Sequence, residues 1–530
     1  MPGWRNGIRG GLKIPCPSGR AGSTPAPGTN NLPMFMPILA GACGIYVSRA
    51  VRRTLPNLCL TMAGQLPNMR RVVIVFTVIL ASGGCLCRVV RAQDSVVGHW
   101  VGVASREGAD LPVELDFRNN AKELKGSISI RTEGASGIAL RNVSQGSTGS
   151  LLFEIPTDFS TFHFSGTVRG NSLTGSWNLF GFDSDVSMSR DIARPPRFVT
   201  QEVSCHNGNI ALAATLLLPS RARRYPALVF VHGSGPGPRQ EFNFLAEHFA
   251  SLGVASVIYD KRGSGSSTGD WRIADFDDLA ADALACVAML REHKNISEIG
   301  IVGQSQGGWI APLAASKSRE VAFMVLISGT PVTPARQGWW NTEFTLREDG
   351  FKETDIEEAL LLKKMDDDVT RTGQGLGELE TAIERAKSKA WYQASPFVGT
   401  PEPMRQWYRR IMDFDVSAVL ETLSIPSLWI YGGRDNLVPA AESAAILERL
   451  RERCRDISVR TFSTADHALW VRPPDGKPFQ WPGLAPGYLD FVGGWLLRHV
   501  NAKRRRQARR PAVCQLEDMY WSRNPGASRF

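Results

Sequence analysis

From residue 198 onward the chain alternates apolar runs with helical patterns, and this rhythm restricts its fold more than any other feature. Strand-like runs lie at 199–204, 210–217, 227–231, 254–259, 299–302, 322–327, 427–431 and 458–462. Helical spacing fills 242–252, 274–293, 309–317, 440–453 and 488–500. The first two runs read as an antiparallel pair. The later ones are continuously apolar, as parallel strands must be when helices cover both faces of their sheet. Two antiparallel strands followed by strand–helix repeats imply an α/β fold with a doubly wound, mostly parallel sheet. Between 334 and 422 the strands give way to helical spacing at 355–364, 376–390 and 403–412, broken at Gly373-Gln-Gly375. An insertion of that length between two sheet strands reads as a cap, and such segments often carry function.

Upstream the period changes. Short runs at 99–103, 112–117, 124–130, 151–155, 162–168 and 173–179 are separated by Gly, Ser and Asn turns. The alternation of Val113, Leu115 and Phe117 is that of a half-buried antiparallel strand. A small all-β domain, barrel or sandwich, is therefore expected over 93–190. It reads either as an accessory packed on the α/β domain or as a ligand-binding or substrate-restricting module. Residues 191–197, with Pro195-Pro196, read as a linker to an α/β domain at 198–500.

With 530 residues, 43% hydrophobic and 21% charged, the composition is that of a globular chain of several domains. Its net charge of +10 belongs to the ends. The first 93 residues carry eleven Lys or Arg and no acid, the segment 501–530 holds the run Lys503-Arg-Arg-Arg506, and the body between is weakly acidic. Nucleic acid is therefore not an expected partner, and 501–530 reads as a disordered, solvated tail. Residues 1–68, rich in Gly, Pro, Arg and Ser, read as a disordered or non-native extension. At Met69 a basic start, Arg70-Arg71, precedes the apolar run 72–81, and Val90-Arg91-Ala92 offers small residues at −3 and −1. This reads as a signal peptide over 69–92 for export to the periplasm or the exterior. The apolar run is too short for a stable membrane span. A lipoprotein anchor would use Cys85, but the Leu expected at −3 is absent.

Of nine cysteines, Cys205, Cys286, Cys454 and Cys514 would remain after cleavage. There is no C-x-x-C and no His/Cys cluster with zinc spacing, so neither a metal nor another cofactor is expected. Export would permit a disulfide, but spacing does not name its members.

The run at 299–308 reads as a strand that ends in G-x-S-x-G at 303–307 and turns directly into a helix. Ser305 on such a turn is a candidate nucleophile. Acyl transfer by Ser needs a base, an orienting acid and an anion-binding hole, and on this kind of sheet the chain order is Ser, acid, His. Asp435 follows the run 427–431 through Gly432-Gly433 and fits the acid, although it reads equally as a cap of the helix near Pro439. Asp413 and Asp415 lack a preceding strand. Two histidines follow Asp435: His499 lies in the terminal helical pattern, whereas His467 lies in the loop after 458–462, where the base belongs. The hole would use the N–H of Gln306 and that of Ser234, in the loop His232-Gly233-Ser234-Gly235 after the third run. His232 would shape that loop by hydrogen bonding, with Gly233 letting the backbone face the substrate. Asp260 and Arg262, in Asp260-Lys-Arg262-Gly263, would order the loop after the fourth run. Trp339, Trp340 and Phe344, at the start of the cap, read as acyl-pocket lining or as cap packing.

Together these strings resemble the bacterial α/β-hydrolases. The nearest branch is the exported esterases of the dienelactone-hydrolase and serine-aminopeptidase-like group, some with an N-terminal β-domain. The resemblance covers about 198–500 and, more weakly, 96–190. It implies a serine hydrolase that cleaves small carboxylic esters through an acyl-enzyme, with Ser305 as nucleophile, His467 as base and then acid, and Asp435 orienting His467. The alternatives are a peptidase or aminopeptidase on the same triad, cofactor-free lyase or perhydrolase chemistry, and a non-catalytic ligand-binding protein. Nothing in the sequence sets an oligomeric state.

Overall fold

A computed structural model describes residues 95–500, apart from 121–122, 157–160, 180–181, 193–196, 221–223, 396–399, 401, 454 and 474–477. The extension, the signal segment and the basic tail read from the sequence lie outside these residues. Nine antiparallel strands come first: β1 Gly98–Arg106, β2 Ala109–Asn120, β3 Glu123–Ile130, β4 Ala135–Ala139, β5 Arg141–Gln145, β6 Ser150–Pro156, β7 Thr161–Arg169, β8 Ser172–Leu179 and β9 Phe182–Asp191. They form one sheet in the order β4-β3-β2-β1-β9-β8-β7-β6-β5, and β5 returns against β3, so the sheet curls on itself. Alternate residues point inward, as the pleat requires: Leu111, Val113, Leu115 and Phe117 on β2, and Leu151, Phe153 and Ile155 on β6. In the enclosed core Phe153 and Phe164 stack with centroids 4.4 Å apart, worth about 0.5–1.5 kcal/mol beyond their burial. β4 and β5 escape the sequence pattern because their inward positions carry few large apolar residues, and β9 because Ser and Asp surround its inward Val186 and Met188. Asp191, read as linker, is the last residue of β9.

The second sheet contains β10 Phe198–Asn207, β11 Ile210–Pro219, β12 Tyr225–Val231, β13 Ala255–Tyr259, β14 Ile296–Gln304, β15 Val321–Ile327, β16 Ser427–Gly432 and β17 Ile457–Phe462. Its order is β10-β11-β13-β12-β14-β15-β16-β17. The first three strands pair antiparallel and the rest parallel. Every residue of β12, β13 and β16 is buried, because helices cover both faces. The chain leaves β12 toward β13 on one side and returns to β14 on the other. The carboxyl ends of β12 and β14 therefore flank a crevice at a topological switch point, where doubly wound sheets bind their ligands. This is the fold class implied by the sequence: an all-β region followed by an α/β-hydrolase sheet with a helical insertion.

That insertion, between β15 and β16, comprises the helices Pro334–Glu348, Glu353–Thr372, Leu376–Ala386, Ala390–Ala394, Glu402–Arg409 and Val416–Thr422. Thr333 caps the first by accepting from the Arg336 N–H, and Pro334 sits where a missing N–H does no harm. Leu346, Ile356, Leu362, Leu379 and Trp391 form a core of its own. The buried ion pairs Lys363–Asp367 and Arg405–Asp366 lie in the same insertion. A disulfide joins Cys205 on β10 to Cys286 in the helix Phe276–Arg291, naming the pair that spacing left open. After β17 a short hairpin, β18 Trp470–Val471 with β19 Gly483–Leu484, reaches the first sheet, and Trp470 is buried in that sheet's core. Among the described residues no helix is long and apolar enough to cross a membrane.

Candidate active site

Ser305 occupies the turn between β14 and the helix Gly307–Lys317 with φ at +52°. A non-glycine residue pays about 1–3 kcal/mol for such a backbone, so its surroundings must hold it. Its N–H donates to the Ile327 carbonyl at 2.9 Å, and its own carbonyl accepts from Gly308 at 2.8 Å. The flanking glycines permit the close turn. A Cβ on Gly307 would stand 2.7 Å from the Val231 carbonyl oxygen, and one on Gly303 would collide with the Gly307 carbonyl.

The structure brings Ser305, His467 and Asp435 together. His467 Nε2 lies 3.1 Å from Ser305 Oγ. Its Nδ1 lies 2.9 and 2.8 Å from the two Asp435 carboxyl oxygens. An ionised carboxylate can only accept, so Nδ1 carries the proton and Nε2 is left to accept from the serine hydroxyl. Both side chains are buried, which keeps competing water off this chain of bonds. Asp435 also accepts the N–H groups of Leu437 and Val438 at 2.8 and 3.0 Å. It therefore shapes its own loop as well as facing His467. The cap's first helix braces the same loop: Asn341 donates to the Asn436 carbonyl at 2.6 Å and Gln337 to that of Leu437 at 2.8 Å. The Ser328 hydroxyl donates to the His467 carbonyl at 2.7 Å. Asp466 turns away from the site and accepts from Ala468 and Trp470 N–H at 2.9 and 3.0 Å.

Gly233 lies against Ser305; a Cβ there would be 3.4 Å from Ser305 Cβ and 3.9 Å from Oγ. Among the described residues neither the Ser234 N–H nor the Gln306 N–H donates to a protein acceptor. Gln306 follows the serine directly at a helix start, and Ser234 follows the glycine that lies against it.

His232 departs from its expected manner of action. Its ring is buried between Phe242 and Tyr259, with centroids 4.8 and 5.4 Å away. It leans toward the Pro238 carbonyl without the geometry of a hydrogen bond, and neither ring nitrogen is bonded among the described residues. Burial, reinforced by the Lys261 charge, pushes it down to about 3. It is a neutral packing residue that shapes the loop by volume. Asp260 accepts the N–H groups of Arg239 and Ser266, each at 2.8 Å. Arg262 forks onto Asp282 at 2.6 and 2.8 Å, tying the loop after β13 to the helix Phe276–Arg291. Trp339 donates to Asp367 at 2.7 Å inside the cap, while Trp340 and Phe344 stack on each other at 4.9 Å. Among the described residues no group of three or more His, Cys, Asp or Glu could hold a metal.

Lys261 belongs to the site although no motif marks it. It is 3% exposed, and its ammonium donates to the carbonyls of Gly233 and Gly235 at 2.9 and 3.1 Å and to Gln306 Oε1 at 2.9 Å. The available signal was a lysine two residues past the end of a fully buried strand, next to Asp260.

An α/β-hydrolase sheet with a serine, a histidine and an aspartate in hydrogen-bond contact at its carboxyl edge defines a class, the hydrolases. Residues 223–473 match the family described as serine aminopeptidase, S33. Esterase EstD of Thermotoga maritima is 24% identical over 320 residues, covering 58% of this chain and 70% of that protein. The pimeloyl-[acyl-carrier protein] methyl ester esterase of Photobacterium profundum is 25% identical over 199 residues, covering 37% and 74%. A solved Pyrococcus furiosus esterase shares 18% identity over 58% of this chain and 95% of its own, with a TM-score of 0.38.

Proposed function

We propose that the protein is a serine hydrolase of carboxylic esters that works through an acyl-enzyme. The observation that carries this reading is His467, held by Asp435 on one ring nitrogen and facing Ser305 Oγ at 3.1 Å with the other. His467 Nε2 takes the hydroxyl proton as Oγ attacks the ester carbonyl. The carbonyl oxygen becomes negative and rests on the N–H groups of Ser234 and Gln306. The tetrahedral adduct collapses, and the alcohol leaves with the proton from His467. Water, deprotonated by the same nitrogen, attacks the acyl-serine, and the carboxylic acid departs as Ser305 regains its proton. Asp435 keeps the ring in the tautomer these steps require and stabilises the imidazolium.

Two relatives named as esterases favour ester substrates, whereas the family description favours a peptidase. Assay of p-nitrophenyl esters of graded acyl length beside aminoacyl p-nitroanilides separates the two. The expected result is ester turnover without anilide turnover, with fluorophosphonate labelling at Ser305. Ser305→Ala is expected to abolish labelling and lower kcat about a million-fold. Retained labelling and turnover in that variant would overturn the assignment.

Export belongs to this reading. The signal-like segment at 69–92 and the Cys205–Cys286 disulfide both suit an oxidising compartment. The mature chain is expected outside the cytoplasm with Gln93 at its N-terminus. N-terminal sequencing after cell fractionation checks this, and a cytoplasmic chain retaining residue 80 contradicts it.

A further inference from the structure

Lys261 is a buried cation whose three N–H donors all meet uncharged oxygens: two loop carbonyls and the Gln306 side chain. Among the described residues no carboxylate makes an ion pair with it. Burial pushes it down to about 7, against the more distant pull of Glu241 and Asp282. A buried charge without a direct counter-ion is an expensive way to fill space, and a leucine or methionine would fill it at less cost. What distinguishes this site is what its three acceptors carry.

The Gly233 carbonyl shares one peptide plane with the Ser234 N–H. In a trans peptide the two point to opposite sides, so an ammonium on the oxygen fixes the direction of the N–H. A charged donor on the carbonyl also draws electron density from the amide and makes its N–H a stronger donor. The second carbonyl, that of Gly235, anchors the far side of the same turn. The third acceptor belongs to Gln306, whose backbone N–H stands next to Ser305. One cation thus touches both segments that bear free N–H groups beside the serine.

We propose that Lys261 is the positioning residue of the oxyanion pocket. Through the Gly233 carbonyl it aims and polarises the Ser234 N–H, and through the Gln306 side chain it fixes the second donor. This role presupposes the ester-hydrolase reading of Ser305. It acts on the negatively charged adduct and not on the neutral substrate, so its loss falls on kcat and leaves KM nearly unchanged.

The test compares the wild-type chain with Lys261→Met, Lys261→Arg and Gln306→Met, each first checked for a native melt. The readouts are kcat and KM on p-nitrophenyl butyrate, and inhibition by a trifluoromethyl ketone and by its methyl ketone analogue. The first inhibitor forms an anionic adduct with the serine, whereas the second binds as a neutral carbonyl. Lys261→Met is expected to lower kcat about 100-fold with KM within about threefold. It is expected to weaken the trifluoromethyl ketone in proportion and to leave the methyl ketone unchanged. Lys261→Arg should recover part of the loss. Gln306→Met keeps its backbone N–H and loses one acceptor, so about a tenfold fall in kcat is expected. If Lys261→Met does not fold, Gln306→Met decides.

A folded Lys261→Met with wild-type kcat, or one that weakens both ketones equally, overturns the proposal, as does Gln306→Met with wild-type kcat. Ser305 labelling of the wild type is read separately. A wild type that labels and turns over esters beside an unaffected Lys261→Met sinks only the role of Lys261. A wild type inert to both sinks the ester-hydrolase reading and this role with it.

Discussion

Glu133 stands in the short turn between β3 and β4 with both carboxyl oxygens buried and, among the described residues, no hydrogen-bond partner for either. Burial alone pushes it up to about 9. The sign of the consequence follows from proton counting. Below about pH 4.5 both the folded and unfolded chains hold this proton. Between there and about 9 the unfolded chain releases it while the folded chain keeps it, so stability falls as pH rises through that window. Glu133→Gln removes the difference. It should raise the unfolding free energy at pH 7.5 by roughly 1–3 kcal/mol and leave it nearly unchanged at pH 4, seen as thermal melts that part on raising the pH. A variant that melts lower at both pH values contradicts this. Neither Glu133 nor Lys261 was legible as a buried ionisable residue, because the burial of a lone residue depends on chain segments distant in sequence and leaves no periodic trace. The order Ser305, Asp435, His467 was legible, since each residue follows its own apolar run. Their contact distances depend on the elbow at Ser305 and on the braces from Ser328, Leu437 and Val438.

At the scale of elements, strands buried on both faces leave the strongest mark, which is why β12, β13 and β16 stand out in the sequence. The weakest marks belong to the strands of the curled first sheet, where Ser, Asp and Gly occupy much of the length. The disulfide illustrates the same limit. Cys205 lies on the edge strand β10 and Cys286 on a helix 81 residues later, and only the packing of that helix across the sheet brings them together. The bond closes a long loop in the unfolded chain and ties down an edge strand. Replacing both cysteines by alanine should lower the unfolding free energy by about 2–5 kcal/mol. Urea titration with and without reductant checks it: dithiothreitol should lower the wild-type midpoint and leave the double variant unmoved. A midpoint indifferent to reductant in the wild type would show that the bond does not form.

At the scale of the whole molecule, the loop that carries His467 is fastened on two sides. On the α/β side Ser328 holds the His467 carbonyl. On the other side Trp470, three residues later, is buried in the core of the first sheet, and the Asp466 turn ties its backbone to the histidine loop. The same hairpin is pinned again where Trp481 donates to the Ala109 carbonyl at 3.0 Å and where Phe479 and Trp481 pack on Phe182 with centroids 5.0 and 6.1 Å away. The all-β region therefore forms part of the frame that locates the candidate base. Trp470→Ala should destabilise the fold by about 3–5 kcal/mol, as large-to-small core changes do. It should also let His467 drift relative to Ser305, and a shift of about 1 Å in a reacting group costs on the order of 100-fold in rate. Phe153→Ala, in the same core but remote in sequence from the hairpin, supplies the control, since it removes a comparable volume without loosening the histidine loop. At a temperature well below both melts, Phe153→Ala should keep kcat within about threefold of wild type while Trp470→Ala loses 10- to 100-fold. Equal losses in the two variants would mean that the first sheet acts through general stability and does not hold the base.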